Sequence, residues 1–268
     1  MLKIENWEVV GWEHAIRGAR NPMNSWEKSD SEFITLDGDH HDISGNSGPW
    51  YGENGWEETL IGPNDHDLLM RLRNAGTDHR KFMRMITVYL DITAPLYWWK
   101  EFKTYRAGRK FGDPEPDIFD PELLEMDIET NSCSTMHKIA EKEFTMEDFS
   151  CEHLGVTIPA ELNNGEEVFQ NLTIEHFKRT VDVLNIQRGF YNRENNKELK
   201  KKYWWQMIQL LPSSYNQKRT VMLNYEVLAN IYRARKNHKL DEWHVMCDWI
   251  EKLPYSELII GEKNESNQ

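Results

Sequence analysis

The stretch Leu211–Trp243 reads LPSSYNQKRTVMLNYEVLANIYRARKNHKLDEW, and the fold is decided there. Leu211-Pro212-Ser213-Ser214 has the chemistry of a turn. Thr220, Val221, Met222 and Leu223 make a short strand-like run, and a helix follows. At about 100° per residue, Asn224, Leu228, Ile231 and Arg235 fall along one stripe of that helix. Such a stripe should be buried, yet it begins with an amide and ends on a guanidinium. A buried arginine is costly unless something anionic pairs with it, so the stripe marks a candidate site.

With 268 residues the chain can build a sizeable core without staples. Its formal net charge of −13 argues against nucleic-acid polymers, which need a basic footprint. A mononucleotide needs only a few local cations and stays possible. Cys133, Cys151 and Cys247 are far apart and form no CxxC pair, which points to a reducing cytoplasm rather than a disulfide framework or zinc site. No N-terminal stretch joins a basic start to an apolar core, and no apolar run approaches ~20 residues, so no membrane association is expected. Eleven Trp and ten Tyr residues suit core and interface, and the same rings stack on flavins and bases.

Upstream, a strand is expected near Trp7–Val10 and a short helix near Glu13–Arg20. Asn64 reads as the N-cap of a helix through Asn74, with Gly76 at its C′ position. Ile86, Val88, Leu90 and Ile92 alternate with Thr87, Tyr89, Asp91 and Thr93, the period of a half-buried strand. Ala94-Pro95 then opens a helix through Trp98, Trp99 and Phe102 towards Arg106. From Arg109 to Thr130 carboxylates crowd between Pro114, Pro116 and Pro121, the composition of an exposed insertion loop. Thr145 to Asp148 has capping-box spacing. Thr173 is expected to cap a long helix through Tyr191, and another runs from about Asn195 to Leu210. The pattern is α+β: one domain over residues 1–260, an acidic insertion at about 109–130, and a polar tail at 261–268. Asp39-His40-His41-Asp42 suggests metal binding. Adjacent side chains of an extended segment face opposite ways, so a solvated loop is the better reading and no metal site is assigned.

The C-terminal stretch resembles the flavin-dependent thymidylate synthases. The residues that carry this are Leu211-Pro212 and the pattern Asn-x-x-x-Leu-x-Asn-x-x-x-x-Arg, here Asn224, Leu228, Asn230 and Arg235, followed by Trp243. Spacing from Pro212 to Arg235 matches without a gap, and Trp243 comes one residue late. In the same register His79 takes an early family histidine. Thr104-Tyr105-Arg106 stands where the family has Arg-His-Arg. Asn131-Ser132-Cys133-Ser134-Thr135-Met136-His137 stands where it has Asn-Glu-x-Ser-x-Arg-Tyr.

That resemblance implies a fold with an antiparallel sheet packed with long helices, FAD as cofactor, and dUMP as the small-molecule substrate. It further implies NADPH and methylenetetrahydrofolate as co-substrates and a homotetramer. His79, Tyr105, Arg106, Asn224 and Asn230 are implied to hold the cofactor, and Asn131, Ser134 and Arg235 the nucleotide. The family's loop arginine is Met136 here, its arginine before the Leu-Pro pair is Ile208, and another near Asn224 is Glu226. Methionine and isoleucine cannot perform the bidentate phosphate contact of arginine. Arg219, beside Lys218, is the expected replacement.

Adding an electrophile to uracil C5 builds negative charge on the pyrimidine carbonyl side, and a fixed guanidinium stabilises it as an oxyanion hole would. Arg235 is expected in that catalytic role, against the alternative of a structural ion pair with Asp241 or Glu242. Asn224 can bond a flavin or adenine edge, or cap its helix. Three functions stay open: methylation of dUMP, modification of another uridine nucleotide, and a flavin- or nucleotide-binding module without catalysis.

Overall fold

A computed structural model describes residues 2–34, 39–41, 47–49, 59–104, 128–155 and 172–261. Tyr105, Arg106, the acidic segment up to Asp127 and most of the tail lie outside them. In chain order the elements are β1 (Lys3–Val10), α1 (Trp12–Arg20), β2 (Glu32–Ile34), β3 (Asp39–His41), β4 (Ser47–Pro49) and β5 (Thr59–Leu60). Then come α2 (Pro63–Asn74), β6 (Thr87–Pro95), α3 (Leu96–Phe102), β7 (Glu129–Ser132), α4 (Thr135–Lys138), α5 (Leu172–Arg193) and α6 (Lys197–Leu210). The chain ends with β8 (Asn216–Asn224), α7 (Tyr225–Arg235), α8 (Asp241–Ile250) and α9 (Glu257–Ile260). Among the described residues one sheet has the order β1-β6-β8-β7 and a second the order β4-β3-β2-β5. In the second sheet neighbours are antiparallel, with Phe33 opposite His41 and Glu32 opposite Leu60. The mixture of helices and antiparallel strands is the expected α+β class. No described helix is long and apolar enough to cross a membrane.

Two compact units make up the chain. One comprises Met1–Ile4, Ile92–Lys103 and Asn131–Thr220. Its α3 buries Trp98, Trp99 and Phe102 completely, with Trp98 stacked on Phe102 at 4.8 Å between ring centres. The long helices α5 and α6 pack together, and Val181, Leu184 and Met207 close over Phe144 and Phe149. Asn196 starts α6 by accepting the N–H groups of Glu198 and Leu199. The capping box at Thr145–Asp148 is formed as its spacing predicts.

The other unit comprises Glu5–Asp91, Thr104–Thr130 and Val221–Gln268. Val88 and Leu90 are buried and Tyr89 is exposed, as the alternation requires. On α7 every residue from Tyr225 to Ile231 is buried, against Trp243, Met246 and Ile250 elsewhere in the unit's core. The helix α1 follows Gly11, whose φ is 94° and whose added Cβ would stand 2.2 Å from the Met85 carbonyl oxygen, so only glycine fits. Asp65 is fully buried beside Arg20, 2.5 Å from its Nε, and accepts the Ser29 and Ser31 hydroxyls at 2.6 Å each.

Some elements differ from their sequence reading. Asn64 is not the N-cap of α2: Gly62 occupies that position and Pro63 opens the helix. The cap is supplied through space, because the Asp30 carboxylate accepts the N–H groups of Asn64 and Asp65 at 2.9 and 3.0 Å. Pro95 precedes α3 instead of lying within it, and α3 stops at Phe102. Thr173 is the second residue of α5, where its hydroxyl accepts the Gly155 N–H. Glu129 and Thr130 belong to β7, not to a loop, because β8 supplies their strand with a neighbour that local composition cannot reveal.

Candidate functional site

In the unit that holds α5 and α6, the turn after β7 brings Ser134 to the start of α4. Its hydroxyl accepts the His137 N–H at 3.2 Å and lies 2.7 Å from His137 Nδ1. Ser134 then lines a cavity of about 420 Å³ with Ser132, Cys133, Met136, Leu96, Ile208, Leu211 and Gln217. Met136 and Ile208, two positions at which the resemblance leads one to expect arginine, therefore meet in one place. The lining offers hydroxyls, a thiol and an amide but no charged side chain. Asn131 lies in β7 with an exposed side chain.

Arg219 takes a different place from the one expected. Its guanidinium lies over the Trp99 ring, 4.3 Å from the centre, and donates to Gln217 Oε1 through Nε and Nη2 at 3.1 and 2.8 Å. Gln217 Nε2 donates in turn to the Cys133 carbonyl at 2.8 Å. Arg219 thus orients the amide that faces the cavity. Burial pushes its pKa below the ordinary arginine value.

A second cavity of about 390 Å³ shares Met136 with the first. Lys197, Lys200, Lys201 and His137 line it, together with Tyr191 and Trp204. Trp204 Nε1 donates to the Met136 carbonyl at 2.9 Å, and the Lys200 ammonium lies 4.7 Å from the Tyr191 ring centre. Sequence reading missed this cluster. The signal was the run Lys197-Glu198-Leu199-Lys200-Lys201-Lys202, which reads as a solvated helix face until the fold brings His137 to it.

In the other unit the stripe on α7 stands as its period predicts. Asn224, Leu228 and Ile231 are buried and Arg235 is half-buried. Asn224 Oδ1 accepts the Val227 N–H at 3.0 Å, so the residue does cap its helix, and its amide nitrogen remains a donor beyond the cap. Asn230 Oδ1 accepts from Arg233 Nη2 at 2.5 Å. The Arg235 guanidinium lies over the Trp243 ring, 4.9 Å from the centre.

Glu226 also lies on α7, fully buried, and its carboxylate bonds the Nε of Arg80, at 3.3 Å, and that of Arg84. These two contacts fasten the single turn Arg80–Arg84 to α7. His79 sits at the N-cap of that turn, exposed. The structure thus ties the His79 segment to the helix of Asn224, Asn230 and Arg235 through an ion-pair triad centred on the buried Glu226 carboxylate. Glu226 stands where the resemblance leads one to expect an arginine, and Arg80 and Arg84 supply the positive charge around it.

This chain has the fold of the flavin-dependent thymidylate synthases. A structure of thymidylate synthase X from Helicobacter pylori with FAD and dUMP superposes with a TM-score of 0.53 at 13% identity, over 96% of each chain. Another structure of the flavin-dependent thymidylate synthase ThyX from Helicobacter pylori, complexed with FAD and dUMP, gives a TM-score of 0.51 at 13% identity, over 96% of this chain and 95% of that one. No protein-family model matches the sequence, and no curated protein matches it.

Proposed function

We propose that the protein is a flavin-dependent enzyme that methylates dUMP to dTMP, with FAD as cofactor and methylenetetrahydrofolate and NADPH as co-substrates. The observation that carries this reading is the motif spacing along α7. Asn224, Asn230 and Arg235 keep the family spacing on one helix of a chain that has the family fold. The donors on that helix and its fastened turn fit a flavin: the Asn224 amide suits the ring edge or adenine, and His79 and Asn230 stand on the same assembly. Tyr105 and Arg106 complete the proposed cofactor set from outside the described residues. When bound and reduced by NADPH, the flavin would supply the hydride and relay the one-carbon unit, so the protein would need no nucleophile of its own. Arg235 then stabilises the negative charge that grows on the pyrimidine carbonyl as C5 reacts. Trp243 restrains the guanidinium in a plane, which limits the entropy lost when substrate arrives. Asn131 and Ser134 offer the nucleotide an amide and a hydroxyl, and Arg219 contributes by orienting Gln217. A homotetramer in the cytoplasm is the proposed working form.

A second reading keeps the chemistry and changes the substrate to another uridine nucleotide. The uncharged lining around Met136 and Ile208 favours it, because a phosphate-reading site is built differently there.

The visible absorption spectrum of the purified protein tests the flavin. Yellow protein that releases FAD on heating is expected. Colourless protein that also fails to take up added FAD overturns the proposal.

A further inference from the structure

Two cavities in one unit meet at Met136, and their linings differ in kind. One is neutral, with Ser132, Ser134 and Gln217 as its polar groups. The other carries Lys197, Lys200, Lys201 and His137 against the aromatic faces of Tyr191 and Trp204, with no carboxylate among the lining side chains. The three lysines are spaced i, i+3 and i+4 on α6 and so share one face. Like charges at that spacing repel, and in a chain of net charge −13 nothing about solubility calls for them together. An anion in the cavity would offset the repulsion. Lys200 is held by Tyr191 and the cavity wall by the Trp204–Met136 bond, so the cluster is anchored on both sides.

We infer that the lysine cavity is a phosphate subsite, and that it binds the phosphoryl group of a nucleotide whose sugar side occupies the Ser134 cavity. The nucleotide part of this inference rests on the function proposed above. Along α6, Ile208 and Lys201 are two turns apart, about 10 Å at 1.5 Å rise per residue, so an anionic end displaced from the Ile208 cavity finds its counter-charge on the same helix. The cavity also explains how Met136 and Ile208 are tolerated: the charge has moved from the wall of the neutral cavity to its neighbour. Arg219 is engaged by Trp99 and Gln217 and acts as a positioning residue.

Titration calorimetry on the full chain with inorganic phosphate, dUMP and deoxyuridine tests this. The proteins are wild type, the triple variant Lys197→Gln/Lys200→Gln/Lys201→Gln, and Arg219→Ala, each checked by circular dichroism. Wild type is expected to bind phosphate and to prefer dUMP over deoxyuridine. The triple variant should lose at least tenfold on phosphate and on that preference, whereas Arg219→Ala, which releases Gln217, should weaken dUMP and deoxyuridine alike and so keep the preference. Because the lysines lie at the surface or half-buried, the single variant Lys201→Gln, expected to weaken phosphate severalfold, stands in should the triple variant misfold. Phosphate binding lost in the triple variant without any dUMP binding in wild type keeps the anion subsite and overturns the nucleotide reading. Unchanged phosphate and dUMP binding in the lysine variants, or a preference abolished by Arg219→Ala alone, overturns the subsite even in a yellow, FAD-loaded protein.

Discussion

The Arg235 guanidinium lies 4.9 Å from the centre of the Trp243 ring, at the C-terminal end of a helix whose buried face begins with Asn224. Stacking on an aromatic face restrains the guanidinium plane.

Arg235→Ala is therefore expected to lower nucleotide turnover by ~10²–10³, the usual loss when one charge-stabilising donor is removed. Arg235→Lys should recover little of it, because an ammonium cannot reproduce the stacked fork. Steady-state kinetics beside circular dichroism reads this. Normal turnover in a normally folded alanine variant would reduce the pair with Trp243 to a packing contact.

Glu226 is buried between Arg80 and Arg84, and losing its charge leaves both without their shared carboxylate. Glu226→Gln should cost about 3 kcal/mol, the low end for a broken buried pair because Arg84 is partly open to water. Glu226→Arg, which would install the residue expected from the resemblance, should be worse, since it sets three cations together. Urea unfolding midpoints decide the matter. A neutral or stabilising Glu226→Arg variant would contradict the assigned triad.

Asp65 makes a prediction about pH. Burial alone would raise its pKa, but hydrogen bonds from Ser29, Ser31 and Arg20, with the Arg20 charge, outweigh burial and hold it below the ordinary 3.8. A depressed folded pKa gives stability that is fully present above 3.8 and is lost as pH falls below it. Asp65→Asn should destabilise the fold near neutrality by about 3–5 kcal/mol, because Arg20 stays buried without its charge partner. It should also flatten the acid limb of the stability profile. An acid limb identical to wild type would show that Asp65 is not the group being titrated.

Cys133 reports on the neutral cavity. It is exposed and lines that cavity, whereas Cys151 is partly covered and burial pushes the Cys247 thiol up to about 11. Iodoacetamide under native conditions should modify Cys133 first, and dUMP should slow the reaction. Peptide mass spectrometry locates the adduct. Labelling at Cys133 that saturating dUMP leaves untouched would place the nucleotide elsewhere.

Much of this protein was determined by its sequence. The alternation from Ile86 to Ile92, the stripe from Asn224 to Arg235 and the capping box at Thr145 all took the forms their spacing required. Side-chain direction within one element follows from its period alone. The chemistry that links elements was decided only by tertiary structure. Asp30, and not Asn64, starts α2, because a distant carboxylate can satisfy helix N–H groups as well as a local one. Glu226 reads as a lost arginine along the chain and becomes the anchor of Arg80 and Arg84 in space. Arg219 looked like a phosphate ligand by its neighbours in sequence and is held by Trp99, far away in the chain. The lysine cavity exists only because His137 and Tyr191 close against the α6 face that carries the lysines and Trp204. Spacing determines which residues share a face, but which charge meets which depends on where the chain returns, and where a charge is buried, as at Glu226, burial makes its partner obligatory.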